Sequence, residues 1–307
     1  MIGIEDISFY LPENSISNYD QKEMFGINDH FIEKKLGIKK TLIKNAADET
    51  SDLCIKAYKN VINKKGDVNI GDVEVLVVIT QNPDMNIPHT SAIVHGKLDL
   101  SENCACFDIS LGCSGYVYGL SIIESFMKEN NFTKGLLFTA DPYSKIINRK
   151  DKVTSLLFGD AATVTIISNK PIYQSGKCTF GTVGKRCQEL KCENGELFMD
   201  GHAVFDFALE YVPRDIELLL KKNNIKIHEV DKFVFHQGSK YIVDSIARIL
   251  GLPNEKVVFD AEEYGNTISS SIPIILSKEI QKENNKTILI SGFGVGLSWS
   301  GNILGRV

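Results

Sequence analysis

Three residues stand where strand-like runs give way to turns, and their types suit acyl-transfer chemistry. Cys113 lies in FDISLGCSGYVYGL, flanked by Gly112 and Gly115, at the head of an apolar-periodic segment, CSGYVYGLSIIESFM, whose spacing predicts a helix. A thiol at a helix N-terminus faces unpaired backbone N–H groups and the helix dipole. Both favour the thiolate, so its pKa is expected below the free value of about 8.5. A buried structural cysteine in a glycine-rich turn fits the same segment, and the flanks do not match the G-x-S-x-G elbow of hydrolases. His236 ends the apolar run KFVFH and is expected at the carboxyl end of a core strand, as a functional imidazole or as a hydrogen-bonded core residue. Asn266 follows Gly265 in EYGNTISSSIP, a turn leading into a helix, where turn and capping chemistry would account for it unaided. Brought together, a thiol, an imidazole and a carboxamide would form an acyl-transfer site.

The elements around them supply the means. Strand-like apolar runs alternate with amphipathic segments, the pattern of an α/β protein with mostly buried strands. The first half carries VEVLVVIT, CACFDIS, KGLLFTA and TSLLFGDAATVTII, and the second carries VDKFVFHQ, KVVFDA and KTILISGFG in a matching order. Glu74 and Asp231 stand 157 positions apart, while Phe107 and Phe259, and Lys134 and Lys286, stand 152 apart. A near-constant offset close to half the chain points to a duplicated fold, with halves at 1–168 and 169–307. A pseudo-twofold axis would make equivalent strand ends face one crevice, where α/β folds place their ligands, and that crevice would collect Cys113, His236 and Asn266.

Composition narrows the class. The 307 residues suit two domains or one large duplicated unit. A hydrophobic share of 43% and a charged share of 24% are those of a globular protein. No run reaches the roughly 18 to 20 apolar residues of a membrane span. The N-terminus MIGIEDISFYLPEN alternates in polarity without a basic region, which suits a strand better than a signal peptide, so the expected location is the cytoplasm. A net charge of −5 with no clustered basic face gives no reason to expect nucleic acid. Seven cysteines in a signal-free chain read as free thiols, with Cys104 and Cys106 as small apolar residues of a buried strand. Cys178, Cys187 and Cys192 with His202 match no paired ligand spacing, so no metal is expected.

DISLGCSGYVYGL, FVFHQGS, EEYGNTISSSIP and SGFGVGLSWSG, in this order, resemble the signature segments of β-ketoacyl-acyl-carrier-protein synthase III, a condensing enzyme of the thiolase-fold superfamily. The resemblance covers nearly the whole chain and implies a thiolase fold, with duplicated βαβαβ halves in an αβαβα layered arrangement. It implies that Cys113 takes an acyl group from acyl-CoA, and that a malonyl thioester then loses CO₂ to give an enolate that attacks it. His236 and Asn266 would donate N–H bonds to the malonyl thioester carbonyl, and the N–H groups of Cys113 and Val295 would form an oxyanion hole. Val295 stands where the family has glycine, but the donor is main chain, so the role survives.

The resemblance also implies CoA contacts at Phe31, Lys35 and Lys152, where Trp, Arg and Arg are usual. Charge is kept there and the bidentate fork of arginine is lost. Ile87, in QNPDMNIPHT, falls in a loop that would reach across a homodimer into the partner's acyl pocket. Tyr241 and Asp206 stand where basic residues would receive an acidic carrier protein, with Lys240 and Arg248 nearby. Neither a metal nor a bound redox cofactor is implied, acyl-CoA being a substrate. The rival on the same fold is an acyltransferase that passes the acyl group, without decarboxylation, to an alcohol or amine of a sugar or secondary metabolite. An intact Asn266 favours condensation, because holding an enolate is its clear use. Thiolase proper would need a second cysteine in SGFGVGLSWSG, and hydroxymethylglutaryl-CoA synthase a glutamate near Gln81.

Overall fold

The computed structural model describes residues 1–65 and 70–307. Its first half runs β1 (Gly3–Tyr10), β2 (Asn14–Ser17), α1 (Lys22–Phe25), β3 (Lys40–Ile43), α2 (Thr50–Lys65), β4 (Val75–Ile79), α3 (Thr90–Lys97), β5 (Ala105–Ile109), α4 (Gly115–Asn130), β6 (Lys134–Ala140), α5 (Lys152–Ser155) and β7 (Ala162–Ser168). The second continues β8 (Tyr173–Ser175), β9 (Thr179–Thr182), β10 (Leu190–Glu193), β11 (Glu196–Met199), α6 (Gly201–Asn223), β12 (Lys232–Phe235), α7 (Lys240–Ile249), α8 (Ser271–Glu279), β13 (Thr287–Gly294) and β14 (Ser298–Arg306). The main sheet has the order β12-β13-β14-β8-β1-β7-β6-β4-β5, with β9 also on β14. Only one paired position, Ile4 with Tyr173, joins β1 to β8, so the sheet is two wings meeting at a narrow seam.

Strand alternation explains the layers. On β4, Val75, Val77 and Ile79 face a central cluster with α4 residues Tyr116, Val117 and Leu120 and α8 residues Ile272, Ile275 and Leu276. Leu76 and Val78 face the opposite side, against Leu53, Ala57 and Val61 of α2 and Val94 of α3. The second wing mirrors this. Val234, Ile288 and Ile290 turn to the same central helices, while Phe233, Phe235 and Leu289 turn to Phe207, Val212 and Ile216 of α6 and to Val243 of α7. Both faces of each wing are therefore covered, which is why these strands read as unbroken apolar runs. Each fully buried Val, Ile or Phe contributes about 1.5–3 kcal/mol to holding the layers together. The result is the expected α/β thiolase fold of five layers, with α4 and α8 between the wings.

The repeat appears as matched pairings: β4 lies parallel between β5 and β6, and β12 lies parallel to β13. It is imperfect at KVVFDA, expected as a strand, where only an isolated bridge from Val257 to Phe233 forms. Gln237 explains the difference. Its side-chain amide nitrogen, Nε2, donates to the carbonyls of Phe235 and Val258, and its Oε1 accepts from the Asp260 N–H, so a side chain takes bonds that a ladder would make. TSLLFGDAATVTII likewise divides into the end of α5, a turn and β7. Among the described residues, no helix is long and apolar enough to cross a membrane.

Candidate active site

Cys113 sits in the turn between β5 and α4. The helix starts at Gly115, whose N–H bonds the Gly112 carbonyl at 2.8 Å, so Cys113 precedes the first helical residue by two positions. The turn is packed against the β13–β14 loop. Ser114 Oγ lies 2.9 Å from Ser298 Oγ, and Ser298 Oγ donates to the Val295 carbonyl at 2.9 Å. A Cβ on Gly112 would stand 2.6 Å from Gln81 Oε1, and one on Gly294 only 2.7 Å from Cys113 Sγ, so both positions admit no side chain without movement.

The expected lowering of the Cys113 pKa is not what the structure gives. Cys113 is 4% exposed, and burial pushes the thiol up to about 12. The backbone N–H groups of Val295 and of Cys113 itself pull it down, while the buried Asp141 carboxylate adds to the rise. Removal from water outweighs the N–H groups at the turn, which disfavours any charge on sulfur. Both N–H groups therefore act on Sγ itself, whereas the oxyanion-hole role expected of Cys113 and Val295 concerns the oxygen of an acyl group carried on that sulfur.

His236 follows β12 directly, and its N–H donates to the Ser291 carbonyl on β13 at 2.8 Å, extending the ladder by one bond. The ring is 3% exposed, and burial lowers its pKa to about 3, so it is neutral at rest. Its Nδ1 lies 2.9 Å from Ser271 Oγ, its Nε2 lies 3.3 Å from Asn266 Nδ2, and Phe293 meets it edge-on at 5.6 Å. Asn266 is pinned from the other half of the chain. Its N–H bonds the Leu157 carbonyl at 2.8 Å, and its carbonyl accepts the Gly159 N–H at 2.9 Å. Asn266 Oδ1 accepts the Ile268 N–H at 2.9 Å, which leaves the amide NH₂ facing the imidazole.

Cys113, His236 and Asn266 line one cavity of about 790 Å³. Leu157, Phe158, Leu190 and Phe293 make its interior apolar, and Phe31, Lys35 and Lys152 line it as well. Local capping places two of the outer groups: Asp151 caps α5, which begins at Lys152, and Ser239 caps α7, which carries Tyr241. The Lys152 ammonium lies 5.4 Å from the Phe31 ring centroid, and Lys35 lies 3.8 Å from that of Tyr241, which stacks on Phe205 at 5.2 Å. Asp206 is exposed at the same wall. Ile87 lies elsewhere, 81% exposed and outside this cavity of its own chain. Cys104 is buried, but Cys106 on β5 is only half-buried, because β5 is an edge strand. Among the described residues no group of three His, Cys, Asp or Glu could hold a metal, Cys178, Cys187, Cys192 and His202 included.

Two groups of the site were not anticipated. Ser271, the His236 partner, is one of three serines in SSSIP, and nothing local distinguishes it. Asp141 is fully buried behind the nucleophile, accepting from the Gln81 N–H and from Ser269 Oγ, each at 2.6 Å, with its own pKa raised to about 6 by burial. A carboxylate directly after the apolar run KGLLFTA was the available signal for it.

Residues 107–184 match the family model described as 3-oxoacyl-[acyl-carrier-protein] synthase III, and residues 220–305 match the model of its C-terminal part. The beta-ketoacyl-[acyl-carrier-protein] synthase III of Lactococcus lactis subsp. cremoris is 32% identical over 98% of both chains, and that of Streptococcus sanguinis 32% identical over 96% of both. The crystal structure of the 3-oxoacyl-[acyl-carrier-protein] synthase III from Aquifex aeolicus superposes with a TM-score of 0.92 at 27% identity, covering 100% of each chain. A priming beta-ketosynthase of the R1128 polyketide pathway, at 24% identity and a TM-score of 0.90, shares the fold. In its sequence along nearly the full length and in its fold, this chain belongs to the 3-oxoacyl-[acyl-carrier-protein] synthase III family of condensing enzymes.

Proposed function

We propose that this chain joins an acyl-CoA primer to a malonyl thioester by decarboxylative condensation. One observation carries the reading: Cys113 from the turn after β5, His236 from the end of β12 and Asn266 from the turn before α8 line a single apolar cavity, with the backbone N–H groups of Cys113 and Val295 acting on the thiol. Cys113 sulfur attacks the acyl-CoA carbonyl, the bond to the CoA sulfur breaks, and the thiol proton leaves with CoA. The malonyl thioester enters next and loses CO₂, and its enolate oxygen is held by N–H donors from His236 Nε2 and Asn266 Nδ2. The enolate carbon attacks the acyl carbonyl, whose oxyanion rests on the N–H groups of Cys113 and Val295. Collapse of this intermediate expels the Cys113 thiolate, which takes one proton from solvent to restore the thiol.

Phe31, Lys35 and Lys152 would receive the CoA end of the primer. Ile87 would complete the acyl pocket of a second copy, which makes the working unit a homodimer acting in the cytoplasm. The half-buried edge strand β5 and the neighbouring exposed Ile87 are the features that support such pairing. No metal or redox group has a step here, since each charge is met by an N–H donor.

The test is intact-protein mass after acyl-CoA addition, then a chase with malonyl-CoA or malonyl-carrier protein, with a chelator present throughout. Acylation absent from Cys113→Ala, followed by CO₂ release and discharge, is the expected outcome. Asn266→Ala should still acylate and should lose CO₂ release. Wild-type CO₂ release in Asn266→Ala would defeat the role given to that residue. Stable acylation that no malonyl thioester clears would favour transfer to an alcohol or amine instead.

A further inference from the structure

We infer that Ser271 is a positioning residue that sets which nitrogen of His236 carries the proton, an inference that rests on the condensation reading above. The imidazole is enclosed by a loop of hydrogen bonds. Ser271, fully buried at the first residue of α8, places Oγ 2.9 Å from His236 Nδ1 and 3.0 Å from the Ile268 carbonyl oxygen. Across the ring, Asn266 Nδ2 lies 3.3 Å from Nε2. Ile268 closes the loop by donating its N–H to Asn266 Oδ1 at 2.9 Å. It does so at a φ of +52°, a left-handed conformation that is costly for a β-branched residue and persists only where its surroundings hold it. The strained residue thus offers both of its backbone polar groups to the two side chains that flank His236.

The Ile268 carbonyl is also a partner of the imidazole itself, and with Ser271 as the Nδ1 partner proton counting allows two arrangements. Burial keeps the imidazole neutral, so only one ring nitrogen is protonated. In the first arrangement Nδ1–H donates to Ser271 Oγ, the Ser271 hydroxyl donates to the Ile268 carbonyl, and bare Nε2 accepts from Asn266. Every group is satisfied, and Nε2 has nothing to give a substrate. In the second, the Ser271 hydroxyl turns to donate to Nδ1, and Nε2–H and Asn266 Nδ2–H both point into the cavity. Donors 3.3 Å apart repel unless one oxygen accepts from both, and a thioester or enolate oxygen is such an acceptor. A serine hydroxyl serves both arrangements because it donates and accepts, which alanine cannot do. The conversion moves one proton from Nδ1 to Nε2 by exchange with solvent when the ring is transiently freed from Ser271, leaving its charge unchanged. The free site rests in the first arrangement, and the malonyl thioester draws it into the second.

The test uses the full-length wild type, Ser271→Ala and Ser271→Thr. Cys113 acylation is followed by intact mass and CO₂ release from malonyl-CoA by kinetics. Histidine tautomers are read by ¹⁵N NMR with and without a sulfonate analogue of malonyl-CoA, with His236→Ala for assignment. Ser271→Ala should acylate at the wild-type rate and release CO₂ with kcat about tenfold lower at similar KM, the size of one lost neutral hydrogen bond. Ser271→Thr, which keeps the hydroxyl, should restore it. The wild-type ring should carry its proton on Nδ1 when free and on Nε2 with the analogue, a result that stands even if the variants do not fold. Unchanged CO₂ release in Ser271→Ala, equal loss of acylation and CO₂ release, or one tautomer in both wild-type states would overturn the inference. A wild type that acylates but releases no CO₂ would instead remove the condensation reading, and this inference with it.

Discussion

Gly294→Ala should nearly silence Cys113 while leaving the fold in place. A Cβ built on Gly294 stands 2.7 Å from Cys113 Sγ and 2.8 Å from Cys113 Cβ. Non-bonded heavy atoms rest at about 3.5–4.0 Å, so the overlap is roughly 1 Å, and both atoms it strikes belong to the nucleophile. The backbone adds to the problem, because a φ of +156° suits glycine and costs other residues about 1–3 kcal/mol. Relief must come from moving Sγ or the loop that carries the Val295 N–H, and a misplacement of about 1 Å costs about 10²-fold in rate. The assay is the time course of the mass gain on acetyl-CoA addition, with a thermal melt of the same sample. Acylation about 10²-fold slower is expected, together with a melting temperature lower by several degrees, at about 2–4 °C per kcal/mol. Acylation within about threefold of wild type, less than 1 kcal/mol of barrier, would refute the crowded geometry around Sγ.

Two further outcomes follow from other parts of the structure. His236 has its pKa lowered from 6.5 to about 3 by burial, so between those values the unfolded chain binds a proton that the folded chain excludes. Stability should therefore fall as pH drops from about 6.5 toward 3, by up to about 1.4 kcal/mol per pH unit, and urea midpoints of His236→Gln should fall less steeply over that range. Parallel curves for the two proteins would show that the folded state accepts the proton. For assembly, sedimentation at micromolar concentration should show a dimer, and Ile87→Asp should leave the melting temperature of the dissociated chain unchanged while weakening association at least about tenfold. A monomeric wild type would remove the pairing through β5.

Much of the architecture was legible because it depends on short-range periodicity. Strands covered on both faces show themselves as apolar runs, and a duplication shows itself as an offset, so the two wings and the turns carrying Cys113, His236 and Asn266 could be located along the chain. KVVFDA misled for the same reason: its apolar pattern is that of a strand, but Gln237 takes up bonds that the ladder would have made. The mouth was legible in part. Phe31, Lys35 and Lys152 do reach the cavity, while the approach of Lys35 to the Tyr241 ring depends on how the short helical segment Phe31–Leu36 packs beside α7.

By itself, then, the sequence determined which chemical groups are present, in which turns they fall and which family the chain resembles. Only the tertiary structure decided their state. Cys113 was expected to ionise easily from its place before a helix, yet closure of the surrounding layers removes the water that would stabilise the charge and pushes its pKa up to about 12. Asp141 behind it is held by Ser269, 128 positions away, and Asn266 is held by backbone groups of Leu157 and Gly159 in the other half of the chain. Ser271 is one serine among three until folding sets it beside His236. Residue type and local spacing are written along the chain, whereas desolvation and hydrogen-bond partnership are properties of neighbours that become neighbours only when the chain folds.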